Sequence, residues 1–176
     1  MMHLLVFLGT VVVISASGVI QPGPVTAATL ALSSRDKYAG LLVAVGHGLL
    51  EIPLIFLIML GLDKILQSDF AKVSIGLVGG AVLVWMGVGI LRELRKVDYE
   101  PNSMCKRGAV ATGFILSATS PYFLIWWATV GLKLTIDAKK LGITAFVLFA
   151  LVPWLCDFFW LGIMGFTAFK GGKILG

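Results

Sequence analysis

Five long stretches of the chain carry almost no charge, and this feature restricts the fold most strongly. Three stretches contain no charged residue, and the other two contain a single acid each. About 20 apolar residues are enough for a helix to cross a bilayer, and such a helix satisfies its own backbone hydrogen bonds there. We therefore predict an all-α integral membrane protein with one transmembrane domain over residues 1–176. Its five spans are expected at about 4–34, 39–62, 73–91, 108–132 and 141–169.

The composition excludes two other classes of protein. Hydrophobic residues make up 59% of the chain and charged residues only 13%, whereas a soluble domain carries roughly 25% charged residues. A soluble enzyme would lack the polar residues needed to cover its surface, and a disordered chain would need low hydrophobicity and high charge. Neither a Gly-x-Ser-x-Gly nor a His-Glu-x-x-His pattern is present, so we predict no enzymatic activity and no cofactor.

The distribution of the positively charged residues indicates the membrane topology. The net charge is +5, and the Lys and Arg residues lie in the short segments between the apolar runs. One set of these segments holds nine Lys and Arg residues and the other holds five. The richer side should be cytoplasmic, which places the N-terminus outside a cell-membrane, multi-pass protein. The lipid bilayer is thus an expected partner, and nucleic acid is not.

Prolines interrupt two of the predicted spans. A proline removes a backbone N–H and clashes with the preceding turn, so it kinks or ends a helix. We predict that the first and fourth helices are broken, and that the second half of the first span begins near Val25 and Thr26 with a positive dipole end suited to a substrate carboxylate. The candidate binding residues at the breaks are Gln21, Pro22, Gly23, Pro24, Thr26, Ser120 and Pro121.

Two acids lie deep inside predicted spans. Glu51 is near the middle of the second span and Asp157 is 17 residues into the fifth. An ionisable residue at this depth is costly and usually marks an ion or substrate path. His47 precedes Glu51 by four residues, so the two share one helix face. His47, Glu51 and Asp157 are therefore candidate binding residues.

A weak internal match relates the two halves of the chain at an offset of 106 residues. Glu51 then aligns with Asp157, and each acid-bearing span follows a proline-broken span. Three spans separate equivalent elements, so the halves would cross the membrane in opposite directions, as in inverted-repeat transporters. Both breaks and both acids are then expected to converge near the midplane.

The sequence leaves the position of four tryptophans open. They could lie in a belt at the membrane interface, which is the default, or line a cavity; they are Trp126, Trp127, Trp154 and Trp160.

These residues resemble the LysE-type amino-acid exporters, which include RhtB-type homoserine and threonine exporters. The resemblance rests on the Gln21 to Pro24 break, the His47 and Glu51 span, Ser120-Pro121 and the Asp157-x-x-Trp160 pattern. It implies a secondary transporter that exports amino acids or similar small polar metabolites, coupled to protons or another ion. The chain has Ser120 where the family usually has Asn, and it has five predicted spans where the family commonly has about six. Residues 171–175 would begin the sixth span, and a homodimer is one way to complete the fold.

Two alternative functions remain open from the residues. His47, Glu51 and Asp157, with Cys156 nearby, offer donors for a divalent metal cation, which would make the protein a metal exporter. A membrane thiol-redox carrier would need a cysteine beside each break, whereas Val25 and Tyr122 follow the two prolines. Cys105 and Cys156 have no C-x-x-C spacing, so neither a disulfide framework nor a zinc site is predicted.

Overall fold

The computed structural model describes residues 2–62, 68–70, six scattered residues between 73 and 88, and 108–175. The described residues form helices joined by short turns. These helices are α1 (Met2–Val19), α2 (Pro24–Ser33), α3 (Ala39–Leu57, continued by a π-helical turn over Ile58–Leu62), α4 (Ala109–Ala118), α5 (Pro121–Trp126), α6 (Leu132–Leu141) and α7 (Ile143–Leu175). A second π-helical turn, Trp127–Gly131, joins α5 to α6.

The helices confirm the predicted class of an all-α membrane protein. Three described helices are long and apolar enough to cross a bilayer, namely Met2–Val19, Ala39–Gly61 and Ile143–Gly172. A bent pair, Ala109–Ala118 with Pro121–Leu141, provides a fourth span if its two parts cross together. The third predicted span, 73–91, and Cys105 lie outside the described residues, apart from the six scattered positions.

Both predicted helix breaks are present. The first span separates into α1, which ends at Val19, and α2, which begins at Pro24. The fourth span is bent by 58° between Ala118 and Pro121. In each case a proline occupies the first turn of the restarting helix, where its missing N–H costs no hydrogen bond.

Two segments outside the predicted spans are helical. The charged segment 133–140, which the sequence places between spans, belongs to α6, which runs to Leu141. On its exposed face Lys133 Nζ donates to Asp137 Oδ2 at 2.8 Å, with the i,i+4 spacing that stabilises a helix. Residues 171–175 do not start a new helix, since they continue α7 without interruption.

The buried side chains form two apolar clusters on either side of a polar layer. One cluster includes Ile55 of α3, Ile58 of the turn that continues it, and Phe146 and Phe149 of α7, and Phe123 and Trp127 also belong to it. The other contains Val43, Ala44 and Leu161. Along both α3 and α7 the acids lie between these clusters. The apolar packing therefore holds Glu51 and Asp157 at a fixed depth within the bundle.

Glycines let the central helix α3 approach its neighbours closely. A Cβ at Gly46 would overlap the Val110 carbonyl oxygen of α4, and a Cβ at Gly113 would overlap the Val43 carbonyl oxygen of α3. Gly40 approaches the Leu161 carbonyl oxygen of α7 in the same way. Such contacts between small residues are typical of helix packing in membranes. They bring side chains of α3, α4 and α7 within hydrogen-bonding reach of one another.

Candidate functional site

A cavity of about 290 Å³ lies where both helix breaks meet the acid-bearing helices. Its walls come from the end of α1, the start of α2, the middle of α3 and α7, and the junction of α4 with α5. All ten candidate residues from the sequence line it, namely Gln21, Pro22, Gly23, Pro24, Thr26, His47, Glu51, Ser120, Pro121 and Asp157. The two breaks and the two acids thus converge, as expected, although the binding roles of these residues stay a prediction.

The N-terminus of α2 opens onto this cavity without a side-chain cap. Gly23 is extended (φ −158°), and no side chain caps the helix. The first backbone hydrogen bond of α2 runs from the Ala27 N–H to the Gly23 carbonyl oxygen at 2.9 Å. The N–H groups of Val25 and Thr26 precede that bond, and both residues line the cavity. Such N–H groups, together with the positive helix dipole, favour an anionic group.

The second break is capped by its own serine. The Ser120 hydroxyl oxygen accepts a hydrogen bond from the Phe123 N–H at 3.4 Å, and Pro121 occupies the first helical position. Ser120 is therefore an N-cap residue of α5. The two breaks differ in this respect, because the start of α2 is left open while that of α5 is partly satisfied.

His47, Glu51 and Asp157 form what we call the acid–histidine cluster. His47 Nε2 lies 3.5 Å from Asp157 Oδ2 and 3.7 Å from Glu51 Oε1. One ligand atom from each of the three residues lies within 4.8 Å of the other two. His47 and Glu51 are almost fully buried, and the Asp157 side chain is 16% exposed. The cluster therefore brings two carboxylates to one point in an apolar environment.

Ser117 determines which nitrogen of His47 faces the acids. The Ser117 hydroxyl donates to the Gly113 carbonyl oxygen at 2.7 Å, and its oxygen lies 2.7 Å from His47 Nδ1. A hydroxyl has one hydrogen to donate, so Ser117 accepts from Nδ1, which must carry a proton. Nε2 is consequently the nitrogen that is left to interact with Glu51 and Asp157.

Two buried oxygens of the cavity wall make no hydrogen bond within the described part of the chain. They are Glu51 Oε2 and Ser15 Oγ. Ser15 also departs from other hydroxyl residues of the bundle, such as Thr29 and Ser117, whose side chains donate to the carbonyl four residues earlier. A buried polar atom without a partner is costly. A ligand with hydrogen-bond donors would satisfy both atoms.

Aromatic rings of α5 and the following turn form the remaining wall. Tyr122, Phe123, Trp126 and Trp127 all line the cavity. Phe123 contacts the His47 ring edge-on, with 5.2 Å between the ring centroids. The ring centroids of Trp126 and Trp127 are 5.1 Å apart. Trp126 and Trp127 are therefore cavity-lining residues.

The other two tryptophans do not line the cavity. Trp154 Nε1 donates to the Ala44 carbonyl oxygen at 3.0 Å, which ties α7 to α3. Trp160 Nε1 is buried and makes no hydrogen bond with the residues described. Cys156 has a free, half-buried thiol and is not one of the cavity residues.

Sequence reasoning missed three polar or small residues of the site, Ser15, Gly18 and Ser117. Each lies in an apolar run without a charge nearby to mark it, although Gly18 and Ser117 each precede a proline of a helix break by four residues. Serines and glycines are common wherever membrane helices pack. Their residue type therefore carried no signal, and only the helix arrangement distinguishes them.

Residues 16–170 match the family model of the LysE type translocators. The match covers most of the chain, both helix breaks and the whole acid–histidine cluster. No curated protein and no solved structure matches the chain. The matched family agrees with the resemblance noted in the sequence.

Proposed function

The chain belongs to the LysE type translocator family, and on this basis we propose that it exports amino acids or similar small polar metabolites, coupled to protons or another ion. Membership of this family makes the protein a multi-pass membrane transporter of small molecules. The cargo and the coupling ion are the parts that we propose. The observation that carries the proposal is a single cavity with an anionic pole and an open helix N-terminus.

The anionic pole suits the ammonium group of an amino acid. Two carboxylates and one imidazole meet there, and Glu51 Oε2 has no hydrogen-bond partner within the described residues. An ammonium group brings three donors and a positive charge. Bound beside Glu51 and Asp157, it would satisfy the unpaired oxygen and offset the negative charge in a site of low dielectric.

A second pole of the cavity, at the start of α2, suits the carboxylate. The uncapped start of α2 provides the N–H groups of Val25 and Thr26 and the positive end of a ten-residue helix. Broken helices in other transporters use such ends to bind substrate carboxylates. Both charged groups of a zwitterion therefore have complementary groups in this cavity. Gln21, Pro22, Gly23 and Pro24 would shape this pole, and Ser120 and Pro121 would hold α5 against it.

Ion coupling is proposed for the same cluster. His47 Nε2 and the two carboxylates provide a place where a proton or another small cation and the substrate ammonium exclude each other. Mutually exclusive binding to one site is the simplest basis for exchange, because each cation must leave before the other enters. Import of the coupling ion would then drive export of the amino acid.

Reconstitution into liposomes tests this proposal. Purified protein would be assayed for flux of labelled amino acids with and without an imposed pH gradient. Saturable flux of one class of amino acid that responds to the gradient or to another cation gradient is expected. Folded protein, verified by gel filtration and circular dichroism, that transports no amino acid under any gradient would contradict the proposal.

A divalent cation is a second candidate cargo, and one observation favours it. The acid–histidine cluster offers one nitrogen and two carboxylate oxygens within 4.8 Å of one another. This donor set suits a borderline divalent metal such as Zn²⁺. Calorimetric titration of the purified protein with Zn²⁺, followed by flux with a metal-sensitive dye, distinguishes the two cargoes. Tight metal binding with metal flux and no amino-acid flux would favour metal export.

A further inference from the structure

The cavity also carries information about the side chain of the cargo, and this inference rests on the proposed amino-acid export. We propose that the exported amino acid has an uncharged, bulky apolar side chain, which the aromatic wall formed by Tyr122, Phe123, Trp126 and Trp127 binds. The position and packing of these rings, the ionisable groups of the cavity and the space left by Gly18 support this proposal.

The aromatic wall begins directly beside the acid–histidine cluster. Phe123 contacts the His47 ring edge-on, with 5.2 Å between the ring centroids. The Trp127 ring packs against the rings of Phe123 and Trp126, with centroid distances of 6.5 Å and 5.1 Å. A substrate whose ammonium group lies against Glu51 would therefore have its side chain within reach of these rings.

Two of the four rings are buried and hold α5 in place, and the other two expose apolar surface to the cavity. Phe123 and Trp127 are almost completely buried in the apolar core. Tyr122 and Trp126, four residues apart on α5, are only partly buried and line the cavity. The buried pair thus fixes α5 in place, while Tyr122 and Trp126 offer apolar surface. Burial of a large apolar side chain against such surface is favourable because both surfaces leave water.

The charges of the cavity exclude a basic side chain. Both carboxylates lie within 3.7 Å of the same His47 nitrogen, so the negative charge of the cavity is concentrated at one place. A basic amino acid carries a second cation at the far end of its side chain. Apart from the two cluster acids, the described residues that line the cavity include no acid to receive it. That second charge would be desolvated against aromatic rings without a counterion, which is strongly unfavourable.

An acidic side chain is excluded for the converse reason. No lysine or arginine is found in the described cavity wall. Among the described residues of the cavity wall, the His47 imidazole is the only group that can take up a positive charge, and two carboxylates lie beside it. A third carboxylate there would be repelled, so the side chain must be uncharged.

Gly18 leaves the space that the side chain would occupy. A Cβ at Gly18 would lie 3.2 Å from Trp126 Nε1 and 3.5 Å from the Tyr122 hydroxyl oxygen. The absence of a side chain at this position therefore opens the cavity in front of the two partly exposed rings. A larger residue at position 18 would narrow this half of the cavity and leave the acid–histidine cluster untouched.

The test compares transport of leucine, phenylalanine, alanine, lysine and glutamate by the full-length protein in liposomes. We expect kcat/KM for leucine and phenylalanine to exceed the values for lysine and glutamate by about tenfold or more. A preference for lysine or glutamate would overturn the inference and leave amino-acid export standing. Flux of no amino acid by folded protein would overturn both.

Two variants show whether the aromatic wall is responsible. Trp126→Ala should lower kcat/KM for phenylalanine by about tenfold while alanine changes less than about threefold, and Trp126→Phe should restore most of the loss. Gly18→Val should have the same selective effect, with Gly9→Val as a control, because a Cβ at Gly9 meets nothing within 4 Å. An equal loss for all amino acids in both variants would overturn the inference, since a purely structural role lowers every flux alike.

Discussion

The hydroxyl oxygen of Ser117 lies 2.7 Å from His47 Nδ1 and so orients the imidazole between Glu51 and Asp157. The two residues are 70 positions apart in the chain and lie on different helices, α4 and α3. Because Ser117 is itself held by the Gly113 carbonyl oxygen, the protonated nitrogen faces α4 and Nε2 faces the acids. This contact links the packing of α3 against α4 to the chemistry of the cavity.

Loss of the Ser117 hydroxyl should impair transport. In Ser117→Ala, Nδ1–H loses its acceptor in a buried site, which costs about 1–3 kcal/mol and leaves the imidazole free to rotate away from the acids. We expect flux to fall by at least about fivefold, measured in liposomes. Thr119→Ala is the matched control on the same turn, since the exposed Thr119 hydroxyl donates only to the Ile115 carbonyl oxygen. Equal flux in the two variants would contradict the role of Ser117.

Removal of the charge of Glu51 should abolish transport without unfolding the protein. Glu51→Gln keeps the size of the side chain but cannot hold the substrate ammonium by charge. Folding should be unchanged or improved, because a buried charge is lost. Flux and thermal unfolding in detergent provide the two measurements.

The control for Glu51→Gln is Asp137→Asn on α6. Asp137 pairs with Lys133 and Lys140 at the surface, where an ion pair contributes at most about 1 kcal/mol. Flux through the Asp137→Asn variant should equal that of the unmodified protein. Normal flux in Glu51→Gln would remove Glu51 from the proposed mechanism.

An added methyl group between α3 and α4 should destabilise the bundle. Gly46→Ala or Gly113→Ala would place a Cβ against a backbone carbonyl oxygen of the opposite helix, and backbone cannot move aside as a flexible side chain can. We expect a loss of about 1–3 kcal/mol in the free energy of unfolding, seen as a lower thermal transition in detergent. Gly9→Ala, in open space on α1, should leave the transition unchanged; a similar drop there would show that the effect is not one of helix contact.

Trp154 and Trp160 should respond in opposite ways to replacement by phenylalanine. Trp154→Phe removes the hydrogen bond to the Ala44 carbonyl oxygen and should cost about 1 kcal/mol. It should also lower flux, because Asp157 lies one turn further along α7. Trp160→Phe removes a buried N–H without a partner among the described residues, so it should be neutral or stabilising. Thermal unfolding of the two variants side by side decides the matter, and equal transitions would contradict both assignments.

Local features of the sequence were sufficient to predict the helical membrane class and both helix breaks. Hydrophobicity over some 20 residues and the missing N–H of a proline act wherever a segment is placed. The same local reasoning did not predict that the charged segment 133–140 is helical. There Lys133 and Asp137 pair along one exposed face of α6, while Leu134 and Ala138 are buried on the other.

The sequence by itself determined which residues are costly in a bilayer and must therefore be accommodated, above all Glu51, Asp157 and the Pro24 and Pro121 breaks. Only the tertiary structure decided that Ser117 orients His47 and that Trp126 and Trp127 line the cavity where the breaks and the acids converge. The physical reason is that contacts between side chains of different helices depend on the distance and the register at which the helices pack. That register is set by contacts between segments far apart in the chain, such as Gly46 with Val110 and Gly113 with Val43.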